Sequence, residues 1–276
     1  MLGQRAVSAA VLIPPLVIAL LLGGLWIVAV VVLATVLAAR EVFELLTGAG
    51  YPSLGWLGIV FAAALVLDAA IVPAIDASGL LLVATGTILA AVGALARSDP
   101  REGLPTWFAT VFGAFYASLL GFILRLGHLA PAVPIGAPLG VLGADRGWIV
   151  LLVMAVWSFD TGAYAIGKRF GQRKFLTHIS PSKTYAGLIG GIVAATIISG
   201  VVLVGLGQPA ATALIVGPLV SLAAQAGDLA ESMLKRAAGA KDSGTLIPGH
   251  GGVLDRVDSF LFAAPVLALY VLAAFH

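Results

Sequence analysis

Apolar runs about as long as a bilayer core is thick follow one another along this chain, and the short segments between them carry most of its charge. About 20 such residues cross the hydrocarbon region as a helix, because lipid offers no partner for an open backbone N–H or C=O. Placing helices by runs and breakers predicts spans at roughly 6–22, 24–39, 55–72, 79–96, 105–126, 147–167, 184–205, 211–235 and 256–275. The boundary between the first two is the least marked, since Gly23 and Gly24 leave almost no loop and Pro14 and Pro15 can kink the first helix. The first span runs on beyond a signal-peptide core without a cleavage site and is read as a retained helix.

Hydrophobic residues make up 61% of the chain and charged ones only 10%, with a mean hydropathy of +1.10, which excludes a soluble globular domain. The fold class expected is all-α: a polytopic integral membrane protein of about nine transmembrane helices with its active site on the cytoplasmic side. It reads as one membrane domain over 1–276, with a helical N-terminal region (1–146) and a motif-bearing region (147–276). With the N-terminus inside, 13 of the 15 Lys and Arg fall on the cytoplasmic side, and only Arg125 and Arg146 do not. That bias points to the cell (inner) membrane. No cysteine is present, which removes thiolate metal sites, disulfides and a cysteine nucleophile.

Gly187 and Gly191, spaced G-x-x-x-G, allow close helix approach, either within the bundle or at a dimer seam. Polar side chains gather in three segments assigned to the cytoplasmic side. Asp160 lies in SFDTGAYAIGKRFG, and a carboxylate inside an apolar helix costs about 2.5–3.5 kcal/mol, so it should be paired, metal-bound or facing a wet cavity. In HISPSKTYAG, Ser180, Ser182, Lys183 and Thr184 stand where a helix begins, where free N–H groups and positive potential suit a phosphate; a cap with a topology-setting Lys is the plainer alternative.

The third segment is the richest. Asp228, Glu231, Ser232 and Lys235, at i, i+3, i+4 and i+7, share one helical face, and Asp255 and Asp258 form a second pair three apart. Hard oxygen ligands of this kind suit Mg²⁺. Between them runs KDSGTLIPGHGGVLDR, where Gly249, Gly251 and Gly252 permit tight turns and close approach to a phosphate, with Lys235, Arg236, Lys241 and Arg256 supplying positive charge. His250 fits a phosphate contact or an ordinary loop role equally. No Walker P-loop is present.

The run Ser232, Leu234, Lys235, Arg236, Lys241, Asp242, Gly244, Leu246, Pro248, His250, Gly251, Gly252, Asp255, Arg256 and Asp258 resembles, position by position, the signature of bacterial phosphatidate cytidylyltransferases, the CDP-diglyceride synthases. DTGAY with GKRFG, and then SPSKT, resemble the family's earlier blocks in the same order, so the likeness in motifs covers about the last 120 residues. One position departs: Ala186 stands where the family usually has Glu, before Gly187.

The resemblance implies that phosphatidate and CTP give CDP-diacylglycerol and pyrophosphate, by metal-assisted in-line attack on the α-phosphorus. It suggests Asp228 and Asp255 as the firmest metal ligands, with Asp258 as a third, and Ser232 and Asp160 lining the same cavity. Lys183, Lys235, Arg236 and Lys241 would screen the remaining charge. The expected cofactor is Mg²⁺, with a second, monovalent cation as an option. CTP and bilayer phosphatidate are the expected partners, a homodimer is compatible with the resemblance, and no nucleic acid is expected. A polyisoprenol or other lipid kinase would use similar parts without releasing pyrophosphate. A transporter would place its polar groups in two symmetric halves, whereas here they crowd one end of the chain.

Overall fold

The computed structural model describes residues 14–71, 77–247, 249 and 251–276. Among them the regular structure is helical: residues 14–22 (α1), Leu25–Gly48 (α2), Gly55–Ala70 (α3), Ser78–Ala94 (α4), Pro100–Ser118 (α5), Phe122–Leu129 (α6), Gly143–Phe170 (α7), Tyr185–Gly205 (α8), Ala213–Ala237 (α9) and Leu254–Phe275 (α10). Among the described residues, six spans are long and apolar enough to cross a membrane: Leu25–Gly48, Pro100–Leu129, Gly140–Phe170, Tyr185–Gly205, Ala210–Ala237 and Leu254–Phe275. This is a membrane protein by composition and by helix length.

Three helices run three or more residues past their expected ends; α7 does so at both, spanning Gly143–Phe170 rather than 147–167. α2 continues from Ala39 to Gly48 through Arg40, Glu41 and Glu44, a stretch whose charge resembles a loop; the Arg40–Glu44 pair at i,i+4 (2.8 Å) supports the added turns. α5 starts at Pro100 rather than 105, because Asp99 caps it by accepting from Arg101 N (2.8 Å) and Pro suits the first helical position. The start of the expected first span, at residues 6–13, lies outside the described residues.

The chain forms two compact units, Met1–Leu124 with Met233–Val257, and Arg125–Ser232 with Asp258–His276. The greater part of the signature therefore groups with the N-terminal helices. In the first unit the Phe43 ring of α2 is enclosed by α3 and α5, where Gly58 and Gly113 leave room for it. Leu54 N, at the start of α3, donates to Thr110 Oγ1 of α5 (2.8 Å). Phe61 and Phe115 pack at 5.5 Å between ring centroids.

In the second unit α7 and α8 lie in close contact along small residues. A Cβ at Gly191 would stand 2.6 Å from the Phe159 ring, and one at Gly187 2.9 Å from Ala163 O. The G-x-x-x-G pair thus packs within the chain, one of its two expected uses. Gly187, Gly191, Ala195 and Ser199 are buried along one stripe of α8, while Ile189, Val193, Ile197 and Val201 project outward from another. A helix apolar on every side is what lipid contact requires.

Candidate functional site

Among the described residues, each unit holds a constellation of polar side chains. In the second unit, a short pairing fixes the segment before α8: Phe175 N donates to Lys183 O (3.2 Å), Tyr185 N donates to Arg173 O (3.1 Å), and the Phe175 and Tyr185 rings pack at 5.2 Å. Thr184 then caps α8 by accepting from Gly187 N (3.1 Å), so the capping role considered for this segment is realised at Thr184. Pinned on both sides, Lys183 forms an ion pair with Asp228 of α9, whose carboxylate also accepts from Gln225 Nε2 (3.3 Å). Ser180 is half-buried, whereas Ser182 and Asp160 are exposed.

Asp228, Glu231 and Asp258 bring three carboxylate oxygens within 4.8 Å of one another, with Glu231 fully buried. Gly227 makes this possible, since any side chain there would collide with the α10 backbone at Asp258 and Ser259. The donors fit a divalent ion: an octahedron with bonds of about 2.1 Å spans about 4.2 Å, so small side-chain shifts close the set. Like charges this close raise one another's energy unless a cation or proton intervenes. Ser232 is buried one residue beyond Glu231 on α9.

The first unit holds the signature loop. Asp255, near the start of α10, accepts from Lys235 Nζ at Oδ1 (2.7 Å), and at Oδ2 from Ser243 N (2.9 Å), Ser243 Oγ (2.8 Å) and Gly252 N (2.8 Å). The Lys235 and Asp255 side chains are 11% and 8% exposed, so this ion pair is nearly buried. Ile247 N donates to Gly251 O (2.9 Å), closing a turn in which Gly249 and Gly251 adopt φ of +76° and +79°, backbone that L side chains rarely take. The expected turning role is therefore present. A Cβ on Gly252 would run into the Glu41 carboxylate and the Ser243 hydroxyl, and one on Gly251 into the Asp255 carboxylate, so these two glycines make room for protein carboxylates.

Glu41 of α2 is a residue that sequence reasoning missed. Buried at 5% exposure, it accepts from Val253 N (2.9 Å) and Leu254 N (2.8 Å), and shares with Asp255 the single hydroxyl proton of Ser243, whose Oγ lies 2.8 Å away. Its one visible signal is an acidic residue at the end of an apolar run. Glu231 was visible on the helical face of Asp228 but was not carried into the expected ligand set. Arg236, Lys241 and Arg256 are exposed around the loop, and Arg236 donates to Ala240 O (2.9 Å). His250 lies outside the described residues.

The description "Cytidylyltransferase family" belongs to the family model that matches residues 3–274. A phosphatidate cytidylyltransferase of Synechocystis sp. is 32% identical, over 97% of this chain and 96% of that protein. Phosphatidate cytidylyltransferase 5, chloroplastic, of Arabidopsis thaliana is 34% identical over 91% of this chain and 67% of its own. A phosphatidate cytidylyltransferase of Bacillus subtilis is 45% identical over 46% of this chain and 48% of its own.

Proposed function

Because the chain belongs to the cytidylyltransferase family, and is on that ground a nucleotidyltransferase, we propose that it transfers CMP from CTP to phosphatidate, giving CDP-diacylglycerol and pyrophosphate. The observation that carries this reading to particular residues is the Lys183–Asp228 pair beside Glu231 and Asp258, a cation next to a set of hard oxygen donors.

A phosphate monoester, with a second pKa of about 6, is largely dianionic at neutral pH. Its oxygen therefore needs no base. It attacks the α-phosphorus of CTP in line; the new O–P bond forms as the bond from the α-phosphorus to the bridging oxygen breaks, and pyrophosphate leaves with that oxygen. Asp228, Glu231 and Asp258 would hold Mg²⁺, which when bound neutralises charge on the nucleotide phosphates. Asp255 is a further proposed donor: its Oδ1 accepts Lys235 and keeps a second lone pair. Lys183, Lys235, Arg236, Lys241 and Arg256 offset the remaining negative charge. Ser180, Ser182, Thr184, Ser232 and Asp160 line the substrates in this reading. The bias of Lys and Arg supports nine crossings with this chemistry facing the cytoplasm from the cell membrane.

The test is pyrophosphate release by purified protein in detergent with phosphatidate and Mg²⁺, comparing CTP with ATP and repeating with EDTA. Release with CTP alone, lost on chelation and matched by CDP-diacylglycerol, is the expected result. Transfer from ATP without pyrophosphate would instead identify a lipid kinase.

A further inference from the structure

We propose that Glu41 is a positioning residue, holding the signature loop and the first turn of α10 so that Asp255 and Lys235 meet in the right place. Its catalytic meaning rests on the function proposed above; its placement rests on geometry alone.

The three donors that reach Glu41 come from 202 to 213 residues away in sequence. Val253 N and Leu254 N belong to the start of α10, where the first N–H groups of any helix lack an intrahelical acceptor. A carboxylate placed there satisfies those donors and faces the positive end of the helix dipole. Glu41 is thus a helix cap supplied by another helix. Asp255, the acid within that first turn, is turned to Ser243 N and Gly252 N instead.

The two carboxylates meet at one hydroxyl. Ser243 Oγ lies 2.8 Å from both Glu41 Oε2 and Asp255 Oδ2, and it accepts from Asp255 N at 3.3 Å. Two glycines leave the space that Glu41 fills: a Cβ on Gly244 would lie 2.8 Å from its Oε1, and one on Gly252 would overlap its carboxylate. Leu254 directly precedes Asp255, so a first turn released from Glu41 shifts the carboxylate that Lys235 pairs with. Glu41 itself holds only loop and helix donors, which is why its role is positioning.

The experiment compares full-length wild type, E41Q, E41D and S243A in detergent. Gln keeps one acceptor oxygen and turns an NH₂ toward donors that need an acceptor. Amide hydrogen exchange in E41Q is expected to quicken at Val253 and Leu254, and also at Ser243 and Gly252, which are held by Asp255 and not by Glu41. Exchange in α3 and α5 should stay as in wild type. The kcat for CDP-diacylglycerol formation is expected to fall about 10- to 100-fold, with KM for CTP within about threefold and partial recovery in E41D, as for groups that orient a functional carboxylate. S243A, which removes only the shared hydroxyl, should quicken exchange at Gly252 and lower kcat in the same direction, and it keeps the test open if E41Q does not fold. Wild-type exchange at Ser243 and Gly252 in E41Q would overturn the proposal, as would loosening spread evenly through α3 and α5. Exchange requires no substrate, so a wild-type protein that makes no CDP-diacylglycerol would sink the functional reading alone.

Discussion

Replacing Asp255 by Asn removes a charge and almost no volume, yet the structure assigns it two separable effects. An Asn whose carbonyl takes the Oδ2 position keeps the donors from Ser243 and Gly252 and presents its NH₂ to Lys235. The nearly buried ammonium then loses the Asp255 charge, a cost of up to about 3–5 kcal/mol for a broken buried pair. For a chain of this size that predicts a Tm lower by about 6 °C or more. Turnover should fall about 100-fold or further, since the charge proposed to serve the nucleotide phosphates is gone. The companion variant K235M/D255N separates the effects. Removing both charges should restore about half or more of the lost Tm, because paired burial is nearly neutral relative to apolar packing, while activity stays lost. Thermal unfolding and CDP-diacylglycerol formation, measured on the same preparations, decide the matter. D255N turning over at a near-normal rate, or a double variant as unstable as the single one, would refute the reasoning.

E231Q should fold, and should raise the Mg²⁺ concentration for half-maximal activity about 10- to 100-fold; an unchanged Mg²⁺ titration would remove Glu231 from the ligand set. G252A should cost about 1–3 kcal/mol, read as a lower Tm, because the added methyl meets the Glu41 carboxylate and the Ser243 hydroxyl. A186E restores the acid usual in the family in the first turn of α8, where negative charge contributes about 0.3–1 kcal/mol, so Tm should be unchanged or slightly higher. Misfolding of that variant would show that this turn packs more tightly than its half-buried state implies.

Helix positions were legible because breakers punctuate long apolar runs; α3, α4, α8 and α10 begin and end within two residues of the expected bounds. The last turns of α2 were not, because charged residues at a helix end carry the same local signal as a loop until a pair such as Arg40 and Glu44 is seen at i,i+4. Asp228 and Asp258 were legible as candidate oxygen donors by residue type and helical phase. Their meeting depends on the missing side chain of Gly227, and a glycine does not announce which backbone will come against it. For the same reason the closeness of Gly252 to Glu41 was not legible in the loop. Glu41 itself left no pattern, since capping across more than 200 residues has no local period.

The distance along the chain between Glu41 and Ser243 is also a delay in time. At about 5–20 residues per second, the 202 residues that separate them take roughly 10–40 s to synthesise. Throughout that interval α2 already carries its carboxylate, and none of the three donors that will occupy it has been made. The ribosome thus builds the latch well before the bolt.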